Sequence, residues 1–448
     1  MEIFMDKQIS TPCGEIIGTY CNLPGVIAFK GIRYGEAGRW EYPRQVKSWM
    51  GVYDATKYGN CSYQPRSFYN EEENLKKIFY YNEFRRGEEY TYSDDCLFLN
   101  IWTPEYADKN SKLPVIVYIH GGGFTGGCGH EKHFDGPVWP TKGVIAVTVN
   151  YRLGPMGFMC LPQLKAEAGH TGNYALFDQL CALKWVRDNI SSFGGDPKKV
   201  TLMGQSAGAS CVQLHCQSSL SDGLFRSAVM SSGCGMASSM MKTAEKNYAF
   251  WTEVMSRLDC SSLEELRSVD AKRLFEVWQK AKKEVKGATM ATFPVVDSYF
   301  VVKGASPRKI PYIVGSNSHD VSPPIMHSMA KGWGKKNDLV NYVYLFDRNL
   351  PGDNNGAWHS ADLWYWFGTL NNCWRPMEEK DRIISNQMAS YLCNFAKRGD
   401  PNGENIPIWK SYDKIEKVLC VGEGETKVAK PNSLKLWGIM LTNKAVGE

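Results

Sequence analysis

Six short runs of nearly continuous apolar residues recur through the chain, and they constrain its fold more than any other feature. Each run is rich in β-branched or aromatic side chains, which is typical of a strand buried on both faces. Between the second and third runs, Asn173–Ile190 carries apolar residues at helical spacing. Such strands in alternation with helices predict an α/β fold, with a mostly parallel sheet covered by helices on both faces. The six runs are Leu113–Ile119, Val144–Val149, Lys199–Met203, Ser227–Met230, Ile310–Val314 and Asn341–Phe346.

The rest of the chain adds an antiparallel start and a helical insertion. The β-like runs Gly14–Gly18 and Val26–Gly31 are bounded by glycines, which predicts antiparallel strands near the N-terminus. Residues 240–290 are rich in Lys and Glu at helical spacing and contain no strand-like run. We therefore predict a single domain over residues 1–448, with a helical insertion at about residues 240–300.

Charge and composition argue against several classes of protein. The net charge is +5 without any run of five Lys or Arg residues, so nothing predicts a nucleic-acid partner. No segment approaches the ~18 consecutive apolar residues of a membrane-spanning helix, and the N-terminus lacks the apolar stretch of a secretory signal. We therefore expect a cytoplasmic protein. Its 14 cysteines include no CxxC pair, and we expect most of them to be reduced and buried.

The segment Gly204–Gly208 (GQSAG) predicts a catalytic serine. It follows the Lys199–Met203 strand directly and precedes a helix-like segment, Ala207–Cys216. A sharp turn between a strand and a helix exposes the central serine, and glycines flank it because a β-carbon would clash there. The motif alone is weak, but its position between strand and helix favours Ser206 as a nucleophile.

A glycine run predicts the second part of the site. His120 ends the first apolar strand, and Gly121, Gly122 and Gly123 follow it. Acyl transfer builds up negative charge on an oxygen, which preorganised N–H groups stabilise. Glycines allow the backbone to approach a ligand closely. We predict the N–H groups of Gly122, Gly123 and Ala207 as the oxyanion hole.

The same glycines also fit a dinucleotide-binding pattern, because Gly121–Gly126 matches GxGxxG after a strand. That reading requires a helix at this point and an acidic residue at the end of the next strand. Instead Asp135-Gly136-Pro137 breaks any helix, and the next strand leads into Asn150-Tyr151-Arg152. The nicotinamide-cofactor reading is therefore the weaker one.

A serine nucleophile needs a base, and the base needs a carboxylate to orient it. At a strand–turn–helix site of this kind, the order along the chain is Ser, then Asp or Glu, then His. Asp320 lies just past the fifth apolar run, and His359 lies in a loop after the sixth. Adjacent parallel strands end there on the edge where such sheets bind ligands. We predict Ser206 as nucleophile, His359 as base and Asp320 as the orienting acid, with Asp353 as the competing carboxylate.

With these motifs in place, the sequence resembles the type-B carboxylesterase/cholinesterase family, and it looks closest to bacterial para-nitrobenzyl-esterase-like members. The resemblance runs from about residue 10 to residue 437. It implies the α/β-hydrolase fold, with a shortened helical insertion, and it implies the same site residues. It also implies that Arg39 and Asp94 form a structural ion pair. The matching blocks are Asp94–Trp102, Asn150–Phe158, Phe193–Pro197, Gly204–Gly208, His359–Leu363 and Gly399–Gly403.

Three departures from the family pattern stand out. The family more often places Glu where this chain has Asp320, and only 39 residues separate Asp320 from His359. A helical part of the wall around the site is therefore expected to be missing. Arg86 replaces an aromatic residue of cholinesterases, so a quaternary-ammonium pocket has no support. Cys61 and Cys96 match a family disulfide, but we expect both to be reduced.

The sequence thus predicts a serine carboxylesterase that hydrolyses small to medium esters and needs no cofactor or metal. Amide or carbamate hydrolysis on the same groups stays open, and a non-catalytic adhesion protein is disfavoured because the three predicted catalytic residues are present. Phe124, Phe158 and Trp358 are candidate pocket residues. His130 and His133 are expected at the surface, since a third metal ligand is not evident.

Overall fold

The computed structural model describes residues 6–75, 77–235, 241–336, 340–412, 417–423 and 426–442. Within these residues, 13 strands form one large sheet, and two further pairs of strands form small ribbons. The strands are β1 (Lys7–Thr11), β2 (Gly14–Tyr20), β3 (Val26–Arg33), β4 (Gly35–Glu36), β5 (Arg44–Gln45), β6 (Val52–Asp54), β7 (Cys61–Ser62), β8 (Tyr92–Ser93), β9 (Phe98–Pro104), β10 (Leu113–Ile119), β11 (Ile145–Val149), β12 (Gly195–Gln205), β13 (Ser227–Ser231), β14 (Tyr312–Asn317), β15 (Asn341–Asp347), β16 (Val418–Gly422) and β17 (Lys427–Ala429).

The centre of the large sheet is parallel and its two ends are antiparallel. The order is β1-β2-β3-β9-β11-β10-β12-β13-β14-β15-β16-β17, with β6 paired to β2. All pairings from β11 to β16 in this order are parallel, whereas β1, β2, β3, β9 and β11 pair in antiparallel fashion. The α/β fold and the antiparallel start predicted from the sequence are confirmed. After β10 the chain forms β11 on one side and later β12 on the other, which places a switch in strand order beside β10.

Helices cover both faces of this sheet. The helix predicted over Asn173–Ile190 spans Tyr174–Asn189. No helix in the described part of the chain is long and apolar enough to cross a bilayer. The α-helices are α1 (Ile78–Phe84), α2 (Gly154–Phe158), α3 (Pro162–Ala168), α4 (Tyr174–Asn189), α5 (Ala207–Gln217), α6 (Ala244–Arg257), α7 (Leu263–Ser268), α8 (Ala271–Glu284), α9 (Pro323–Lys336), α10 (Leu363–Phe367), α11 (Glu379–Arg398) and α12 (Ser433–Thr442).

Strand β14 is shifted relative to its apolar run and extends beyond it. The predicted run Ile310–Val314 is observed as Tyr312–Asn317, because Pro311 lacks an N–H for the ladder. The polar end of β14 stays in the sheet because its backbone pairs with β15 as far as Asn317 and Phe346. Pairing of backbone groups thus decides where a strand ends, and it carries β14 close to Asp320.

The predicted insertion is helical and consists of α6, α7 and α8. Its large apolar side chains form a core separate from the two that flank the sheet: Trp251, Phe275 and Trp278 pack with Met156 and Tyr174. A helix packed in this way derives most of its stability from burying one apolar face.

Arg39 connects the insertion to the N-terminal part of the chain. Its guanidinium lies 2.8 Å from an Asp94 carboxylate oxygen, so the expected ion pair is present. The same group donates a hydrogen bond to the Arg267 carbonyl oxygen at α7. The pair therefore has a structural role, as the family resemblance implied.

All 14 cysteines carry free thiols. Cys61 and Cys96 do not form the disulfide of the resembled family, because the Cys96 thiol packs near Ser62 whereas Cys61 faces His130. Ten of the 14 thiols are buried, as expected for residues that act as small hydrophobes.

Arg152 and Asp178 form an ion pair in the interior between β11 and α4. The Arg152 Nε and Nη2 groups donate to the two carboxylate oxygens at 2.8 and 2.6 Å, and its backbone N–H adds a third bond. Their side chains are 4% and 0% exposed. Removal of one partner would leave an uncompensated charge in a medium of low polarity.

We therefore expect Arg152→Met to lower the free energy of unfolding by about 3–5 kcal/mol, because the Asp178 carboxylate loses its counter-charge. Urea unfolding followed by tryptophan fluorescence measures this change. The control Arg257→Met removes exposed pairs with Glu253 and Glu284 and should lower the free energy of unfolding far less, because solvent screens these charges. Equal losses in the two variants would contradict the structural role of the buried pair.

Candidate functional site

Ser206 occupies the sharp turn between β12 and α5. Its backbone has φ 56° and ψ −126°, a conformation that non-glycine residues rarely adopt. A β-carbon on Gly208 would lie 2.1 Å from the Ile119 carbonyl oxygen, so only glycine lets α5 start this close to β10. The strand–turn–helix context predicted for GQSAG is present, and it exposes Ser206 at the edge of the sheet.

Asp320 and His359 are in direct contact, although they are 39 residues apart in the chain. Asp320 Oδ1 accepts a hydrogen bond from His359 Nδ1, and Oδ2 accepts from Ser232 Oγ at 2.7 Å and from Asn317 N at 3.1 Å. Burial alone would raise the pKa of Asp320, but the facing imidazole and these hydrogen bonds lower it. The carboxylate is therefore held in its ionised form.

The His359 ring is poised to accept a proton at Nε2. Burial alone would lower the pKa of His359, but the charge of Asp320 and its hydrogen bond outweigh this effect and raise the pKa. Because Nδ1 faces Asp320, the neutral ring carries its proton there and leaves a lone pair on Nε2. This is the state that a general base requires.

Ser206 and His359 border the same cavity, but no Ser206–His359 hydrogen bond occurs among the described residues. Instead the Gln205 amide nitrogen lies 3.3 Å from His359 Nε2. The hydrogen bond between a nucleophile and its base is often long in a free enzyme, and it shortens when substrate binds. Gln205 thus occupies the position where the serine hydroxyl is expected to hydrogen bond, a contact that the sequence did not predict.

The glycine run lies against this turn. A β-carbon on Gly121 would lie 2.7 Å from the Gln205 carbonyl oxygen and 3.0 Å from Ser206 Cβ. The next residue, Gly122, accepts hydrogen bonds from Thr125 N and Gly126 N, which closes a tight turn. The N–H groups of Gly122 and Gly123 donate to no group in the described parts of the chain. These two predicted donors therefore border the cavity, while Ala207 begins α5 directly after Ser206.

A cavity of about 410 Å³ joins these groups. Its apolar wall is aromatic, but the predicted residues Phe124, Phe158 and Trp358 are not part of it. They are buried in the core: Phe124 packs against Phe158, and Trp358 packs against Phe84. As candidate pocket residues they are not confirmed, and they occupy the core, which is the more common place for large aromatic side chains. The aromatic lining comes from Tyr69, Tyr80, Phe84, Tyr118 and Phe134.

Charged residues also line the cavity. Arg66 lies 2.6 Å from Glu131, and Arg85 lies 2.7 Å from Glu71 and 3.4 Å from Glu131. Burial alone would raise the pKa of Glu131, but the two guanidinium groups lower it to about 2. Sequence patterns did not predict this network, because its members come from separate loops and one helix end.

His130 and His133 are buried, so their expected surface position was wrong. Their exposed fractions are 7% and 2%, and burial lowers the pKa of each to about 3. His130 stacks on Tyr58, and His133 stacks on Phe84. The polar residues around His130 and His133 suggested a surface segment, whereas the fold packs aromatic side chains against both rings.

Asp353, the competing carboxylate, is not near His359. It pairs with Arg375 at 2.6 Å, and Arg375 also binds the buried Glu83. The structure therefore brings Asp320, and not Asp353, to the histidine. This outcome depends on β14, whose end places Asp320 beside the loop that carries His359.

A second buried carboxylate lies behind His359. Asp362 accepts hydrogen bonds from Ser231 Oγ at 2.7 Å and Tyr344 OH at 2.8 Å. Burial raises the pKa of Asp362 despite these hydrogen bonds. Asn317 connects the two carboxyl groups, because its backbone N–H donates to Asp320 and its side-chain Nδ2 donates to Asp362. The position of Asp362, three residues after His359, was the only sequence signal for it.

With this geometry in place, the comparisons with known proteins identify the class. The model of the carboxylesterase family matches residues 5–338 and 324–437. The chain therefore belongs to the carboxylesterase family, whose members are α/β-hydrolases that hydrolyse esters.

Individual relatives agree with this assignment. The chain is 37% identical to para-nitrobenzyl esterase of Bacillus subtilis, covering 94% of this chain and 95% of the relative. A solved para-nitrobenzyl esterase structure superposes with a TM-score of 0.80 at 26% identity, covering 97% and 99% of the two chains. An esterase of Clostridium hathewayi shares the fold with a TM-score of 0.83 at 24% identity, covering 98% and 99%.

The comparisons also locate a difference in length. The alignment with the Bacillus subtilis enzyme spans 494 positions, more than the 448 residues of this chain. The two parts of the family match overlap at residues 324–338, which lie between Asp320 and His359. The missing wall segment expected from the short spacing of these two residues stays a prediction.

The turn at Gly122 yields a prediction about activity. A β-carbon there would lie 2.0 Å from the Gly126 carbonyl oxygen, and φ is +114°. We expect Gly122→Ala to lower kcat/KM for p-nitrophenyl acetate by about 100-fold or more, because the N–H groups turn away from the cavity.

Gly123→Ala is the matched control, since φ is +62° but the nearest atom to a new β-carbon is 4.0 Å away. The kcat/KM of this variant should fall about tenfold or less, because its backbone is strained but its new β-carbon does not clash. Near-equal losses of kcat/KM in Gly122→Ala and Gly123→Ala, with unchanged circular dichroism in both, would contradict the proposed importance of the Gly122 turn.

Proposed function

We propose that this protein is a serine carboxylesterase that hydrolyses small to medium carboxylic esters through an acyl-enzyme intermediate. The observation that carries the proposal is the Asp320–His359 contact at the cavity edge where Ser206 is exposed. In the proposal Ser206 is the nucleophile, His359 is the general base and Asp320 orients it. The free N–H groups of the glycine turn lie at the same edge.

In the first half-reaction, Ser206 Oγ attacks the ester carbonyl while His359 Nε2 takes its proton. Gln205 gives up its contact with Nε2 when the serine hydroxyl moves in. Asp320 stabilises the imidazolium that forms, because its carboxylate is buried and ionised. The proton then passes to the alkoxy oxygen, and the alcohol leaves.

In the second half-reaction, water takes the place of the alcohol and His359 removes its proton. The water oxygen attacks the acyl carbonyl, the ester bond to Ser206 breaks as His359 returns the proton to Ser206 Oγ, and the carboxylic acid leaves. In both steps the N–H groups of Gly122, Gly123 and Ala207 face the developing oxyanion. His359 and water supply every proton transfer, so the proposed cycle requires no cofactor.

The size and lining of the cavity support the proposed substrate range. A volume of about 410 Å³ suits a small to medium ester. Tyr69 and Phe84 offer an apolar surface for a substituent of the ester, and the paired Arg66 and Glu131 add a polar part to the lining. Across p-nitrophenyl esters of increasing acyl length, this size favours the shorter members.

The first test is Ser206→Ala. It should abolish hydrolysis of p-nitrophenyl esters, with a loss of about 10⁴-fold or more in kcat, because no other group supplies the nucleophile. A p-nitrophenyl phosphonate should label the wild-type protein once, at Ser206 by peptide mapping. Ser360→Ala is the control, since Ser360 borders the same cavity and also has positive φ. Retained turnover in Ser206→Ala, or labelling at another residue, disproves the proposed nucleophile.

The second test concerns pH. Only neutral His359 accepts a proton, and Asp320 raises its pKa, so wild-type kcat/KM should fall as the pH drops through a value above ~6.5. Asp320→Asn removes the negative charge and leaves burial, which lowers this pKa. We expect the acid limb to move to lower pH and kcat to fall by about 10³- to 10⁴-fold.

Asp353→Asn serves as the matched control. It loses the Arg375 pair and should unfold at lower urea concentration while its pH profile keeps the wild-type acid limb. If Asp353→Asn shifts the acid limb and Asp320→Asn leaves it in place, the assignment of the orienting carboxylate is wrong.

A further inference from the structure

Three side chains with metal-binding atoms converge in the interior beside the glycine run. They are Cys61 from β7 and Cys128 and His130 from the segment that follows Gly127. Their ligand atoms all lie within 4.8 Å of one another. The three residues are 0%, 1% and 7% exposed. None of them has a role in the proposed ester hydrolysis.

Several polar atoms in and beside this cluster lack strong hydrogen-bond partners among the described residues. Cys61 Sγ lies 3.5 Å from His130 Nε2, and this weak thiol contact is the only partner of that nitrogen among the described residues. The other ring nitrogen, Nδ1, is buried and has no hydrogen-bond partner among the described residues. The nearby Tyr90 hydroxyl is likewise buried without a partner in this part of the structure. In the described part of the chain, His130 thus makes no strong hydrogen bond that would compete with a metal ion.

The surroundings hold the donors in place. The His130 ring stacks on Tyr58 with an interplanar angle of 10°, which fixes its orientation. Arg66 Nη2 lies 3.9 Å from Cys128 Sγ, a weak hydrogen bond that helps to position the sulfur.

We propose that Cys61, Cys128 and His130 form a binding site for a thiophilic d¹⁰ metal ion, Zn²⁺ or Cu⁺. Two sulfur atoms and one imidazole nitrogen are the donors that these ions prefer, whereas Mg²⁺ and Ca²⁺ prefer oxygen. The adjacent carboxylate of Glu131 is already paired with Arg66 and Arg85. Both thiols release a proton to solvent when the ion binds, and no electron is transferred.

The site would fasten two segments that border the proposed active site. Gln64 already joins them, since its amide nitrogen donates to Gly127 O at 3.1 Å and its amide oxygen accepts from Gly127 N at 2.9 Å. A metal ion bound by both Cys61 and Cys128 would add a second link between the segments, next to the hydrogen bonds of Gln64. Metal binding should therefore raise the stability of the loop that carries the glycine run.

The test uses the full chain, reduced and then freed of metal by dialysis against a chelator. Zn²⁺, and in a second arm Cu⁺ under anaerobic reducing conditions, is titrated in competition with a chromophoric chelator. We expect one equivalent of at least one ion to bind, with a higher Tm and with affinity that falls as the pH is lowered. With Co²⁺ as a probe, a thiolate charge-transfer absorption band should appear at the same stoichiometry.

Cys128→Ser and His130→Gln should each weaken binding by about 100-fold or more and remove the Co²⁺ band. Cys393→Ser is the matched control, because Cys393 is an equally buried thiol in α11, and it should bind as the wild type does. Circular dichroism checks the fold of each variant. A variant that does not fold leaves the wild-type stoichiometry and Co²⁺ band as the deciding measurements.

The proposal is wrong if the reduced protein binds neither ion more tightly than the free chelator does, or if Cys128→Ser and Cys393→Ser bind alike. It is also wrong if the reduced protein binds neither ion while protein prepared without reductant contains a Cys61–Cys128 disulfide. That result would make the pair a redox pair. None of these outcomes bears on the role of Ser206.

Discussion

The close packing of β12, α5 and β10 around the turn at Ser206 is the constraint on which the rest of the site depends. Gly208 touches the Ile119 carbonyl, and Gly121 touches Gln205, so the turn and the glycine run are held against each other without intervening side chains. This contact places an exposed hydroxyl and free backbone N–H groups on one side of a cavity. Because β10 lies at the switch in strand order, the cavity opens at the edge where parallel sheets bind ligands.

The proposed site also depends on a buried histidine whose pKa is raised. Burial alone would make the imidazole of His359 a poorer base, and the ionised Asp320 beside it reverses that effect. Asp320 in turn keeps its charge through Ser232 and the Asn317 backbone, which lie at the ends of β13 and β14. The shorter Asp suffices because β14 extends far enough to carry it to the ring. Secondary structure thus compensates for the reach that a Glu would have supplied.

The segments between β7 and β11 provide most of the features that distinguish this chain. They contribute the charged wall of Arg66, Arg85 and Glu131, and they also contain the Cys61–Cys128–His130 cluster. Ion pairs in such a wall cost desolvation and are stable only when each charge is matched, as it is here. The lining of the cavity therefore combines aromatic side chains with a charged network whose charges are matched.

The sequence by itself determined the parallel sheet, the strand–turn–helix at Ser206 and the position of the glycine run. Those features are local, because hydrophobic periodicity and glycine requirements act within about ten residues. Only the tertiary structure decided that Asp320 rather than Asp353 meets His359, that Asp362 lies buried behind it, and that His130 is internal. Each of these depends on contacts between segments tens of residues apart, which chain packing brings together and which no local pattern encodes.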